Sequence, residues 1–302
     1  LTVRVFEKSR GIGGRLAQRR LDDASFDLGA QYCTAREPEF VAQLALWAQS
    51  GVAVPWRARL GSWRGGELTA FDDDQLRWVG TPAMSSMVRA LAAGLDVHCG
   101  VRVAPLSGAH APWALFDDQG RALGDFAAVI CTAPSAQSAE LLAEHAPAVE
   151  LTRSVPLAPC FALGVQLDHA APECAFDGIF ADGKVLSWLA RDGSKPSRHS
   201  TGTWMAHAAP QWSAAWLEQP ADAIEQELLK AFFTQSGVHP STPQLTSLHR
   251  WRYAQAPTPL NMGGWFDPDR GLGMAGDWLA GNRVEGAWCS GLWAARQVIA
   301  AM

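Results

Sequence analysis

Apolar and polar residues alternate through Thr2-Val-Arg-Val-Phe-Glu7, and the run breaks in Gly11-Ile-Gly-Gly-Arg15. Period-two spacing with β-branched residues, giving way to glycine, predicts a strand that enters a tight loop. Further along the interval changes. Phe40, Val41, Leu44 and Trp47 recur at helical spacing behind Glu37-Pro38 and stop at Gly51, which predicts a helix over 37–50. Gly65-Gly66 separates two short runs between Arg59 and Leu68 and predicts a hairpin. Thr81-Pro82 predicts the cap of a helix that ends at Gly94.

From Leu95 the pattern returns to short strands: Val97–Val103, Trp113–Phe116, a turn at Asp118-Gln-Gly120, then an apolar run from Ala127 to Cys131. This order predicts a strand hairpin laid across a parallel sheet. Strand-like segments recur at 160–167, 184–190 and 203–207, with a helix over about 220–235 that carries Ile224, Leu228, Leu229 and Phe232 on one face. That middle block reads as a mixed sheet with helices. After a Pro- and Gly-rich loop at 256–271, a short strand Leu272-Gly-Met-Ala275 delivers Gly276-Asp277, and a last helix runs from Val284 to Ala301. The expected fold class is therefore α/β, with an α+β second part.

Composition narrows the function. With 302 residues, 48% of them hydrophobic and 18% charged, the chain can bury a large core and divide into two domains. A net charge of −5 and no Lys/Arg run argue against nucleic acid as a partner. Lys8, Lys184, Lys195 and Lys230 are the lysines among 25 basic residues, and the arginine excess suits bidentate phosphate or carboxylate contacts. The six cysteines are scattered, with no C-x-x-C and no histidine at ligand spacing, so no metal site and no disulfide framework is expected. No apolar run approaches a membrane span. A soluble cytoplasmic protein, monomeric or weakly dimeric, is the expectation.

The residues that carry chemistry lie at the two ends. An acid closing a strand, as Glu7 does, can accept both ribose hydroxyls of an adenosine. Gly11-x-Gly13-Gly14-Arg15 behind it allows close backbone approach to a diphosphate and supplies a cation. At the other end, Gly276-Asp277 follows a strand, and Val284-Glu285-Gly286-Ala287 opens a helix whose unpaired N–H groups suit a developing anion. Together these point to FAD. No G-x-S-x-G, H-E-x-x-H or Walker loop is present. The acid runs Asp22-Asp23, Asp72-Asp73-Asp74 and Asp117-Asp118 fall in predicted turns and read as solvated.

With Glu7-Lys-Ser-Arg-Gly-Ile-Gly-Gly-Arg15, Asp27-Leu-Gly-Ala-Gln-Tyr-Cys-Thr34, Arg77-Trp-Val-Gly80, Trp188-Leu-Ala-Arg191 through Ser194-Lys-Pro196, His249-Arg-Trp-Arg-Tyr-Ala254 and Gly276-Asp-Trp278 through Arg283-Val-Glu-Gly-Ala-Trp288, the chain resembles the bacterial renalases along nearly its whole length. The first and last motifs occur across FAD-dependent amine oxidases and desaturases, and the middle ones point to the renalase branch. The resemblance implies a Rossmann-like FAD-binding domain (1–34, 95–158 and 270–302) and a mixed-sheet substrate domain (35–94 and 159–269). It implies an enzyme that oxidises 2- and 6-dihydro forms of NAD(P) to NAD(P)+ and passes the electrons to oxygen as peroxide.

Carried over residue by residue, Glu7 would hold the ribose, while Gly13, Gly14 and Arg15 would line the diphosphate. Gly29, Ala30 and Gln31 would lie along the flavin, and Val103 would meet the adenine through its backbone. Asp277 would bind the ribityl chain or diphosphate, and Val284, Glu285, Gly286 and Ala287 would face the pyrimidine. Lys8, Arg10, Tyr32, Ala133 and Gly276 complete the expected cofactor set. Trp188, Arg191, His249, Arg252, Tyr253 and Trp278 are the candidates for stacking on the substrate ring and holding its phosphates. Hydride transfer to a flavin needs orientation more than a proton acceptor, so no catalytic base is expected. An amine oxidase or desaturase is the rival within flavoenzymes; it would want a lysine near the flavin, for which Lys184 is the candidate. A noncatalytic relic of the fold is the rival outside them. Family members open with a strand, a G-x-G-x-x-G turn and a helix that this sequence lacks, so the 302-residue chain by itself is expected to hold FAD weakly and to aggregate.

Overall fold

The computed structural model describes residues 1–21, 24–168, 174–199 and 202–302. Strand β1 (Arg4–Glu7) runs into a 3-10 turn at Gly14–Leu16 and a hairpin of β2 (Gln18–Leu21) and β3 (Ala24–Asp27). Helix α1 (Pro38–Gln49) is followed by β4 (Ala53–Pro55), β5 (Leu60–Arg64), β6 (Glu67–Ala70), β7 (Trp78–Gly80) and α2 (Ser85–Ala92). Next come β8 (Asp96–Cys99), β9 (Trp113–Phe116), β10 (Ala122–Phe126), β11 (Val129–Cys131), α3 (Ser135–Leu141) and α4 (Ala146–Arg153). The central stretch holds β12 (Ala158–Gln166), β13 (Gly178–Phe180), β14 (Leu186–Arg191), β15 (Thr203–Ala208), α5 (Pro210–Ala215), α6 (Ala221–Ser236) and β16 (Leu245–Gln255). The chain closes with β17 (Trp265–Asp267), β18 (Leu272–Met274), α7 (Asp277–Ala280) and α8 (Val284–Ala301).

The largest sheet has seven strands in the order β16-β12-β15-β14-β13-β5-β6. Its pairs are antiparallel except β13 with β5. Alternation gives this sheet two buried faces. Phe161, Leu163 and Val165 of β12, with Trp204 and Ala206 of β15, pack under α6 against Ile224, Leu228 and Phe232. The intervening Ala162 and Met205 point the other way, onto Phe26 of the β2–β3 hairpin. Each such fully buried apolar side chain contributes ~1.5–3 kcal/mol, which fixes the register, since a one-residue slip would exchange the faces. Parallel pairs β1–β8 and β11–β18, the latter carrying β17, supply the α/β part. Beside them β9 and β10 form an antiparallel hairpin; the sequence reading names β9 and the turn at 118–120, and β10 is a strand it does not name.

Three differences from the sequence reading have physical causes. The helix expected from Thr81-Pro82 begins at Ser85, because the Asp27 carboxylate accepts the Met84 N–H at 3.0 Å. The strand expected over Val97–Val103 stops at Cys99, and Val103 makes an isolated bridge to Asp117. Asp117 is buried rather than solvated, accepting the Gln119 and Arg121 N–H groups and the Arg121 guanidinium at 2.6 Å. Asp73 is exposed, in keeping with the sequence reading, and takes two Arg77 nitrogens at 2.7 Å. Asp22 and Asp23 lie outside the described residues.

Candidate active site

Arg15 sits in the 3-10 turn behind β1, and its guanidinium meets the Asp277 carboxylate in a two-pronged pair at 2.9 and 2.6 Å, 262 positions away. It also donates to the Ala254 carbonyl at 2.8 Å. Asp277 starts α7, and the preceding Gly276 N–H is held by Ser290 of α8 at 2.9 Å. The opening loop and the closing helix therefore converge. Two glycines permit it: a β-carbon on Gly29 would sit 2.0 Å from the Arg15 carbonyl oxygen, and one on Gly286 would sit 2.0 Å from that of Gly281. Both glycines thus serve backbone-to-backbone contact, which any side chain would block.

Between these elements lies a cavity of about 650 Å³. Gly13, Arg15, Asp277, Asn282 and Arg283 line its polar side. Val284 and Ala287, from the first turn of α8, face into it. No side chain caps that helix, so its leading N–H groups and the positive end of its dipole are directed at the cavity. Gly29, Ala30, Gln31 and Tyr32 form the strip that follows β3, while Cys160, Trp188, His207 and Trp251 come from the concave face of the large sheet. The Tyr32 ring packs edge-on to Trp188, centroids 5.4 Å apart, and Arg77 lies 5.2 Å over Tyr32. The Trp188 Nε1 is buried without a partner. Such an orphaned donor costs ~1–3 kcal/mol unless something accepts from it.

His207 is a cavity residue that the sequence did not flag. Burial pushes its pKa down to about 4, so the ring is neutral at pH 7 and its Nε2 donates to the Leu28 carbonyl at 3.1 Å. Trp251 donates to the same oxygen at 3.0 Å. Lys195 is a second. Its ammonium is fully buried and donates to Gln31 Oε1 at 2.9 Å, Asp192 Oδ1 at 2.5 Å and Asp27 Oδ2 at 3.4 Å. Arg198 donates to Asp27 at 2.6 Å. Burial works against ionising Asp27, yet the Lys195 and Arg198 cations hold it below the usual carboxylate range. Asp192 moves upward, since burial there outweighs Lys195.

The remaining sequence candidates divide by position. Of the expected cofactor set, Gly13, Arg15, Gly29, Ala30, Gln31, Tyr32, Asp277, Val284 and Ala287 line the cavity. Glu285 turns its carboxylate away, accepting the Arg36 and Glu37 N–H groups at the start of α1 at 2.5 and 2.8 Å. Gly286, within α8, packs on the Gly281 and Ala280 carbonyls, and Gly276 and Ala133 sit behind the wall, the Ala133 carbonyl accepting from Trp278. Glu7 accepts from its own loop at Ser9, 2.7 Å. It lies outside the cavity with exposed Lys8, Arg10 and Gly14 and half-buried Val103.

Of the substrate candidates, Trp188 alone reaches the cavity. Arg191 is drawn to Asp177, which also holds Arg59 at 3.1 Å. Arg252 pairs with Glu218 at 2.9 Å on the exposed face of β16. His249 packs edge-on to Trp251 with Nδ1 at 3.1 Å from Arg19, Tyr253 is half-buried beyond the rim, and Trp278 is core. Lys184 is exposed beside Asp182.

Among the described residues, no cluster of side chains could hold a metal ion. No helix there is long and apolar enough to cross a membrane. A mixed α/β chain whose ends close over an aromatic, helix-capped cavity is the build of a nucleotide-cofactor oxidoreductase. Residues 48–299 match the model of the flavin containing amine oxidoreductases, and the chain belongs to that family. Its fold is that of a putrescine oxidase variant (TM-score 0.72, 12% identity, 99% of this chain and 93% of that one). It is also that of cyclohexylamine oxidase from Brevibacterium oxydans (0.73, 12%, 98% and 92%) and of an oxidoreductase from Methanosarcina mazei (0.68, 13%, 98% and 94%).

The residues present fit a flavin. The uncapped start of α8 offers N–H groups to the oxygens and nitrogens of a ring, the buried Trp188 Nε1 lacks a partner within the protein, and Arg15 is a cation at the glycine turn.

Proposed function

We propose that this protein is an FAD-dependent oxidase of dihydronicotinamide isomers, acting on the 2- and 6-dihydro forms of NAD(P). Residues 1–34, 95–158 and 270–302 would form its cofactor unit, with 35–94 and 159–269 as its substrate unit. The flavin, when bound, supplies the acceptor for the hydride that leaves the substrate as NAD(P)+, and molecular oxygen takes both electrons onward as hydrogen peroxide.

One observation carries the choice of substrate. Among the described residues lining the cavity, Asp277 is the single carboxylate, it is bound to Arg15, and no lysine is present. A cationic amine would enter without a counter-charge, which a buried site penalises. A neutral ring with phosphates finds aromatic faces at Tyr32 and Trp188 and a partly exposed cation at Arg283, while Arg15 stays with Asp277 on the cofactor side. His207, neutral and already donating to Leu28, contributes shape rather than charge. The chain's task is then to orient one ring against another and keep water out.

Anaerobic mixing of the FAD-loaded protein with 2- or 6-dihydro-NAD tests this. The visible absorption of the oxidised flavin is expected to bleach in one turnover, with little change from putrescine or cyclohexylamine. Bleaching by an amine alone would replace this reading with amine oxidation.

A further inference from the structure

Lys195 lies one residue behind the cavity wall, and the mechanism above makes no use of it. Its ammonium has three N–H groups and three acceptors, Asp27, Gln31 and Asp192. None is left to reach into the cavity. What Lys195 does touch is the amide of Gln31, which lines that cavity.

The amide has one possible orientation. Its Nε2 faces the carbonyls of Asp27 and Gly29 at 2.5 and 3.0 Å, both able only to accept. Its Oε1 faces an ammonium, able only to donate. Turning the amide over would set donor against donor and acceptor against acceptor. Asp27 and Asp192 hold the ammonium in place in turn, and Arg198 supplies the second cation through its pair with Asp27.

We propose that Lys195 is a positioning residue that locks the Gln31 amide with both N–H groups turned into the protein, so that this stretch of the wall offers a ligand no donor and, as acceptor, the second lone pair of Gln31 Oε1, the first being taken by Lys195. The ligand edge it takes is an N–H of the bound ring system, and an edge that carries a carbonyl is rejected. The inference rests on the flavin reading of the cavity for its ligand, whereas the orientation of Gln31 stands on the geometry alone.

Four proteins test it: wild type, Gln31→Leu, the charge-balanced pair Asp192→Asn with Lys195→Met, and all three substitutions together. FAD affinity is measured by quenching of flavin fluorescence. Losing one hydrogen bond weakens binding about tenfold. Gln31→Leu and the charge-balanced pair are each expected to show that loss, and the triple variant no more than either. Unchanged affinity in the charge-balanced pair, or losses that multiply in the triple variant, would overturn the proposal.

If the wild type binds no FAD, the flavin reading fails while the positioning claim is still decided by nitrogen-15 NMR of the Gln31 side chain. Its NH2 pair should be protected from solvent exchange in wild type and exchange freely in the Asp192→Asn, Lys195→Met protein. Equal protection in both refutes the role of Lys195. A purely stabilising lysine would lower the melting temperature and move neither reading. Should the charge-balanced protein fail to fold, Lys195→Arg, which keeps a donor at Gln31, is expected to retain wild-type affinity and NH2 protection; loss of either then counts against the proposal.

Discussion

Two ionic clusters border the cavity and differ in how much water they keep. The Arg15–Asp277 pair lies on the wall itself, with the arginine side chain 31% exposed. Asp27, Lys195, Asp192 and Arg198 sit behind the wall with side chains at most 2% exposed. Charges removed from water so completely recover their hydration only through full mutual pairing, and the result is orientation more than net stability. In the outer pair Asp277 is buried but the Arg15 guanidinium keeps part of its hydration, so it can turn to a ligand at smaller cost than a fully buried cation. The contrast assigns the inner cluster to shaping the site and the outer pair to meeting what enters it.

Removing one member of each cluster separates them most strongly. Lys195→Met strands the buried Asp192 carboxylate and leaves Asp27 to Arg198 alone, and is expected to cost about 3–5 kcal/mol of stability, read from the urea midpoint at constant m-value. A loss no larger than that of a surface substitution would erase the distinction. Arg15→Gln should cost less in stability, about 1–3 kcal/mol. It should weaken FAD binding by about 10- to 100-fold, the worth of a charge-assisted contact. Equal effects of both substitutions on both readouts would merge the two clusters into one.

Acid sharpens the comparison further. His207 protonates near pH 4 in the fold against 6.5 when unperturbed, because burial disfavours its cation, and His249 behaves likewise. Between those values the unfolded chain binds the extra protons, so stability is full above pH 6.5 and falls as pH drops toward 4. Asp27, whose pKa is held below the ordinary range by Lys195 and Arg198 despite its burial, extends the loss to lower pH as the folded carboxylate takes its proton. His207→Gln should flatten the upper part of that decline in urea midpoints measured from pH 7 to 4. The smallest effect is expected at Arg252, paired with Glu218 in solvent. Arg252→Ala should leave KM for the dihydronicotinamide unchanged, and a rise in KM would return it to the site.

Much of this was legible in the sequence where local spacing carries the information. The closing helix appears at Val284–Ala301, as the apolar run predicts, and the helix over 37–50 appears as Pro38–Gln49. The convergence of Arg15 and Asp277 followed from glycine turns at both ends. The interior of the site did not follow. Which face of β15 looks into the cavity is decided by α6 and the β2–β3 hairpin packing from opposite sides, and only then does His207 become a wall residue. Lys195 meets Gln31 across 164 positions, a pairing no local pattern encodes. Arg191 and Arg252 were plausible phosphate ligands until Asp177 and Glu218 claimed them. A substrate list read from residue types overreaches because a guanidinium pairs with whichever carboxylate the fold brings near.

The most direct test of the account is a crystal structure of the protein at saturating FAD. The account predicts the isoalloxazine ring between Tyr32, Trp188 and the first turn of α8, with the diphosphate beside Arg15 and the Gln31 carbonyl toward the ring. Flavin density elsewhere, or a cavity closed by its own side chains, would contradict it.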